Sequence, residues 1–284
     1  MDETANFGAL PSEFSRFADA EIVIVPVPFD GTSTWKKGAD RGPSAIIEAS
    51  ANVELYDIET DSQVYLRGIF TDAPIEGEMS VDEMVAAVEQ RLRRHLEDDK
   101  FPVILGGEHS VSIGAVRACA ARFPGLSVLQ LDAHSDLRDE YEGSKYNHAC
   151  VMARLKEVCP IVQVGIRSID VSEKPSLDPD RTFFAKDIHG RTDWIDQAAT
   201  RLTERVYVTI DLDVFDPSIM PSTGTPEPGG LLWYEVLALL RAVCRQRTVV
   251  GFDVVELCPL ENTWASDFLA AKLIYNVLSY RFQP

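Results

Sequence analysis

Short apolar runs, VILGG, VYVTI and VVGFDVV among them, recur along this chain with amphipathic helical patterns between them. A run that is apolar at every position asks to be covered on both faces, as parallel strands beneath layers of helices are. Strands are predicted over 21–29, 64–70, 101–106, 126–132, 160–166, 181–185, 206–211 and 249–255. Helices are predicted over 80–98, 110–121, 147–156, 192–203, 231–245 and 265–280, the first opened by Ser80 and Glu83 in capping-box spacing. This alternation specifies an α/β fold: a three-layer α/β/α sandwich around a mostly parallel sheet of roughly eight strands. With 284 residues, 45% of them apolar, the chain can build one large core, and 1–284 is expected to be a single domain. The Pro- and Gly-rich stretch PSIMPSTGTPEPGG at 217–230 is read as an ordered active-site loop, since long loops within compact domains are usually functional.

Several function classes are excluded early. The longest apolar stretches are too short to cross a bilayer, and the opening MDETANFGALPSEF has no secretory pattern. Five cysteines (Cys119, Cys150, Cys159, Cys244, Cys258) without CxxC spacing point to reduced thiols and a cytoplasmic location. A net charge of −18 argues against a nucleic-acid partner. It would attract cations, although it also serves solubility alone.

Three segments place ionisable side chains where an apolar strand runs out: GGEHS at 106–110, DAHSD at 132–136, and DLD at 211–213. In open α/β sheets that carboxyl edge is where ligands bind. In an extended segment, residues at i, i+2 and i+4 point the same way, so Asp132, His134 and Asp136 should converge, as should Asp211 and Asp213. With His109 these give four carboxylates and two imidazoles. Such an N/O set without thiolate suits Mn²⁺, and two ions better than one. Carboxylates crowded together without a cation would repel, and two metals about 3.5–4 Å apart can share and acidify a water. Singly, a DxH or DxD is more often a turn or an N-cap.

These segments resemble the ureohydrolase family of arginases, agmatinases and their relatives. GGEHS, DAHSD and TIDLDVFDPSIMPSTGTPEPGG are similar to its three signature segments in order, and the likeness runs from VPVPFDGTSTWKKGADRGPSAI to FDVVELCP. The resemblance implies an arginase-like fold and two Mn²⁺ per subunit. His109 and Asp136 would serve one ion, His134 and Asp213 the other, with Asp132 and Asp211 between them. It also implies that a bridging hydroxide attacks the guanidinium carbon, releasing urea and an amine, while Asp136 helps to move the proton. Glu256 resembles the family's guanidinium-binding glutamate; a carboxylate can accept two parallel N–H bonds there, although a strand-end glutamate can also sit in a surface salt bridge. His148 resembles the loop histidine that shuttles a proton to the departing amine. His95 and His189 are expected at the surface. A homo-oligomer, trimer or hexamer, is implied by the family alone.

The loop after Asp136 decides the substrate. Arg138 stands where arginases carry an Asn, and DLRDEYEG together with GTPEPGG looks like agmatinases. The expected substrate is therefore agmatine, cleaved to putrescine and urea. Asp139, Glu140 or Glu142 could attract its ammonium, or could instead pair with Arg138 and Lys145. Arg138 turned inward would clamp a guanidino acid's carboxylate, as in guanidinobutyrate or guanidinopropionate hydrolysis. A metal-binding homologue without catalysis is the remaining alternative.

Overall fold

A computed structural model describes residues 6–283. Its sheet has eight strands in the order β2-β1-β3-β8-β7-β4-β5-β6, every neighbouring pair parallel. The strands are β1 (Ile22–Val27), β2 (Ile69–Thr71), β3 (Phe101–Gly106), β4 (Leu126–Leu131), β5 (Ile161–Ile166), β6 (Thr182–Phe184), β7 (Arg205–Asp211) and β8 (Thr248–Val255). Helices α1 (Ser12–Ser15), α2 (Gly42–Ser50), α3 (Val81–Glu97), α4 (Val111–Arg122), α5 (Val151–Leu155), α6 (Ala185–Ile188), α7 (Asp193–Arg201), α8 (Trp233–Gln246) and α9 (Ala265–Arg281) complete it.

The strands alternate their side chains between two cores, as the pleat requires. Ile22, Ile24, Val103, Leu105, Leu129, Val208 and Phe252 face one core, capped by α2, α7, α8 and α9. Val23, Val25, Ile104, Val128 and Tyr207 face the other, under α3, α4 and α5. This is the three-layer sandwich expected from the apolar runs. Among the described residues, no helix is long and apolar enough to cross a membrane.

Most predicted elements are present, and α3 opens with the expected capping box: Glu83 N–H donates to Ser80 Oγ and Ser80 N–H to Glu83 Oε2. Three segments differ. The stretch predicted as a strand over 64–70 is a 3₁₀ turn, Val64–Arg67, before the short β2 begins. Gly68 separates them at φ +76°, and a Cβ there would lie 2.7 Å from Ala20 Cα. The helix predicted over 147–156 is a 3₁₀ turn, His148–Cys150, running into α5. Ala185, predicted as strand, opens α6. His95 is buried, not at the surface: its Nε2 lies 2.8 Å from Asp72 Oδ2 and its ring packs on Phe17. It sits three residues after Leu92 on the apolar stripe of α3, which the helical period already indicated. His189 is exposed, as expected.

What positions the site is strand order. β3, β8, β7 and β4 are consecutive in the sheet, so the carboxyl ends carrying the three predicted clusters and Glu256 stand side by side. Register sharpens this. Leu131 pairs with Ile210, so the next residues, Asp132 and Asp211, emerge as neighbours. At the end of β3 the chain crosses β1 so closely that a Cβ on Gly107 would lie 2.0 Å from Phe29 O. A Gly107→Ala variant is therefore expected to lose at least about 3 kcal/mol of stability, the upper end for an overfilled core, read as a lowered urea midpoint; an unchanged midpoint would contradict this packing.

Candidate metal centre

All six predicted metal-ligating residues meet at this edge. His109 Nδ1 lies 3.1 Å from Asp132 Oδ2, 3.0 Å from Asp136 Oδ2 and 3.4 Å from Asp211 Oδ2. His134 Nδ1 lies 2.9 Å from Asp213 Oδ2 and 3.6 Å from Asp132 Oδ1. Five of the six fall into two overlapping groups, His109–Asp132–Asp211 and Asp132–His134–Asp213, with the candidate ligand atoms of each group within 4.8 Å of one another; Asp136 joins through His109. Asp132 belongs to both and faces each histidine with a different oxygen.

The convergence does not come from an extended chain, as the i, i+2, i+4 argument supposed. β4 ends at Leu131, and Asp136 takes a left-handed φ of +51° that turns its carboxylate back toward His109. Asp213 lies in a 3₁₀ turn, Leu212–Val214, capped by Asp211. Backbone N–H groups hold the carboxylates in place. Asp132 Oδ1 accepts from His134 N–H at 2.6 Å, Asp211 Oδ1 from Asp213 N–H at 2.9 Å, and Asp213 Oδ1 from Ala133 N–H at 2.9 Å. In each case the other oxygen faces a histidine.

His109 supplies the test of whether a cation fits. Thr209 Oγ–H donates to Asp253 Oδ1 at 2.6 Å, so Thr209 Oγ must accept the proton of His109 Nε2, 2.8 Å away. In the neutral ring that leaves Nδ1 as a bare acceptor. Nδ1 is buried without a hydrogen bond although three carboxylate oxygens crowd it. An unprotonated nitrogen surrounded by anionic oxygens is a ligand set for a divalent ion.

The electrostatics agree. Burial, then the charges of Asp213 and Asp132, pushes Asp211 well above the usual carboxylate range. Burial and Asp132 push Asp136 up to about 7. Burial works against both His109 and His134, yet their carboxylate partners raise them well above the ordinary imidazole value. Without a cation, the protein's own protons must neutralise the cluster.

Above these residues opens a pocket of about 270 Å³, lined by Trp35, Asp136, Arg138, Tyr141, His148, Asp170, Gly224 and Glu256 among others. Glu256 is in the pocket wall and not in a surface salt bridge; its Oε1 accepts His109 N–H at 2.8 Å, and its φ of +67° bends the chain into the wall. Burial, then the charge of Glu108, raises it well above the usual carboxylate range. His148 is held by Thr32, whose Oγ1 accepts His148 N–H at 2.9 Å and lies 3.1 Å from Nδ1. Burial, then His109, lowers His148 to about 4. The 217–230 loop is ordered, as read: Asp216 Oδ2 accepts Gly229 and Gly230 N–H, and Arg167 donates to the carbonyls of Asp213 and Glu227.

Asp139, Glu140 and Glu142 do not line the pocket; Asp139 pairs with Arg154 and Lys145. Beyond the cluster and Glu256, the acids that do are Asp170 and Glu173, after β5, where RSID follows a strand with no repeated motif to mark it in the sequence. Glu173 Oε1 accepts from Ser135 Oγ and Leu137 N–H, tying this loop to the 132–138 segment.

The arginase family profile matches residues 20–279. An N(1)-aminopropylagmatine ureohydrolase of Synechocystis is 40% identical, covering 99% of this chain and 97% of the relative. An agmatinase of Pyrococcus horikoshii is 34% identical, covering 92% of each. The solved agmatine ureohydrolase of Thermoplasma volcanium superposes with a TM-score of 0.86 at 33% identity, covering 95% of this chain and 92% of that one.

The Asp253–Thr209–His109 relay makes a direct prediction. Thr209→Val keeps the shape and removes the acceptor for Nε2–H, so divalent-cation affinity should fall about 10- to 100-fold. Calorimetric titration with Mn²⁺ measures this, and an unchanged affinity in a folded variant would remove the relay's role.

Proposed function

This chain belongs to the arginase family of ureohydrolases, and from that premise we propose that it releases urea from a guanidino substrate whose tail carries positive charge. The observation that carries this reading is a single pocket lined by His109, His134, Asp136, Asp211, Asp213, Glu256 and Asp170, with Asp132 buried beneath it. N(1)-aminopropylagmatine is the favoured substrate, on the likeness to relatives of that name at 40% and 38% identity; agmatine, the expectation from sequence, is the second reading, on the likeness to an agmatinase at 34%. A guanidino acid fits less well, because Asp170 stands beside Arg138 and would repel its carboxylate.

The cluster fits two divalent ions, Mn²⁺ in this proposal: His109 and Asp136 toward one, His134 and Asp213 toward the other, Asp132 and Asp211 between. Bound there, the pair would supply an acidified water and an electrostatic sink for developing charge. The protein's own groups do the rest. Glu256, with Oε1 fixed by His109 N–H, has Oε2 left to accept the guanidinium and orient its carbon toward the cluster. Asp136 accepts the proton of the attacking water. His148, fixed by Thr32 at the pocket wall, is the group placed to deliver a proton to the departing amine. Asp170 receives the cationic tail.

The protein is proposed to work in the cytoplasm, where its free cysteines would stay reduced, and as a trimer or hexamer. Tyr56, Ile58, Tyr234 and Phe268 leave a large apolar groove of about 580 Å³ exposed, the kind of face that subunit contacts cover. Light scattering is expected to give a multiple of 31.5 kDa, and Tyr234→Glu to reduce it; a wild-type monomer would refute the assembly.

The functional test is a urea assay on Mn²⁺-loaded protein with N(1)-aminopropylagmatine, agmatine, arginine, guanidinobutyrate, guanidinopropionate and formiminoglutamate. The highest kcat/KM should fall on a substrate with a cationic, carboxylate-free tail. Faster turnover of an acid overturns the substrate reading, and urea from none of them, with metal bound, favours a non-catalytic homologue. Asp132→Asn and Asp213→Asn should lower metal content and cut turnover at least about 10³-fold without unfolding the chain.

A further inference from the structure

The mouth of the pocket already contains a guanidinium, and it belongs to the protein. Arg138 lies two residues beyond Asp136, with its Cζ 4.6 Å from the Tyr141 ring centroid and Nη2 3.6 Å from Asp170 Oδ2. Asp170 is not free to follow it. Its Oδ1 accepts Ser172 N–H at 3.0 Å and Ser172 Oγ–H at 2.6 Å, and its own N–H donates to Glu173 Oε2 at 2.6 Å. Only Oδ2 is turned toward Arg138. Tyr141 is braced as well, packing edge-on against His148 with ring centroids 6.4 Å apart. The mouth therefore offers a cation two fixed receptors, an aromatic face and one carboxylate oxygen, and Arg138 occupies both.

Arg138 holds them loosely. At 3.6 Å its contact with Asp170 is an ion pair without a hydrogen bond. Its side chain is 30% exposed, which gives it a way out to water. The other arginines near the site are bound more tightly: Arg154 hydrogen-bonds Asp139 and pairs with Glu157, and Arg167 bonds several carbonyls of the 213–228 segment.

We propose that Arg138 is a specificity-determining residue: in the free enzyme it stands in for the substrate's cationic tail on Tyr141 and Asp170, and it leaves them when such a tail arrives. A second cation brought to the same carboxylate oxygen and ring face is repelled by the first, so binding is an exchange of one positive charge for another. A neutral tail offers nothing to replace the displaced contact. A carboxylate tail that attracts Arg138 is repelled by Asp170 beside it. The pair thus filters for positive tails without any group dedicated to rejecting the others. This inference rests on the cationic-tail reading of the site.

The test compares Mn²⁺-loaded wild type, Arg138→Met, Asp170→Asn and the double variant on agmatine, N(1)-aminopropylagmatine and butylguanidine. Removing the internal competitor should lower KM for the two cationic substrates about 3- to 10-fold, the size of an exposed ion pair plus a cation–π contact. The change should fall on KM with kcat within about twofold, KM for butylguanidine should move less than about twofold, and in the Asp170→Asn background the Arg138 effect should vanish. A KM that is unchanged or raised for the cationic substrates, or lowered equally for butylguanidine, overturns the proposal. Arg138→Gln serves in the same comparison should the Met variant melt early. Calorimetric titration with 1,4-diaminobutane reads the same exchange without turnover. Tightening there with no urea from any wild-type reaction would sink the ureohydrolase reading alone, whereas no tightening would sink this one.

Discussion

Several carboxylates buried around two imidazoles would be prohibitive without something to fix and neutralise them. The fold solves the first part with its own backbone. At the carboxyl edge of parallel strands the next peptide N–H groups point outward unpaired, and Asp132, Asp211, Asp213 and Glu256 each give one oxygen to such a group. One oxygen anchors the side chain, and the other is turned toward a histidine in Asp132, Asp211 and Asp213. The arrangement needs strands that run the same way and stand next to each other, which is why the order β3-β8-β7-β4 matters more than any single motif.

The price in local strain is visible where chain direction had to change. Asp136 and Glu256 sit at φ +51° and +67°, a region that costs a non-glycine residue roughly 1–3 kcal/mol. Both are residues whose carboxylates must point back over the sheet edge. Gly107 relieves the same crowding by having no side chain at all where β1 and β3 run together. At these two positions the strained backbone is what turns a carboxylate toward the cavity.

The fold was legible in the sequence because its strands are buried on both faces and read as unbroken apolar runs; only the edge strands β2 and β6, short and half-covered, blurred into turns. The cluster was legible because its residues gather in three short segments at strand ends. The reason first given for their convergence was incomplete, since one left-handed residue and one 3₁₀ turn, invisible to a period-two argument, bring Asp136 and Asp213 inward. Of the two roles open to the acids at 139–142, pairing with nearby cations is the one Asp139 takes. Asp139, Glu140 and Glu142 stand out by density of charge, whereas Asp170 and Glu173 are separated in sequence from every motif and reach the site through the pairing of β4 with β5 and the hydrogen bonds of Glu173 to Ser135 and Leu137. His95 was misplaced for a simpler reason: its partner Asp72 is 23 residues away, and the helical stripe was the sole clue.

Glu173 has a consequence beyond holding two loops together. One carboxylate joins the segment that carries Asp136 to the segment that carries Asp170, so neither can shift without the other. A displacement at the cluster end of the cavity is thereby transmitted to its mouth, and the two ends behave as one rigid frame.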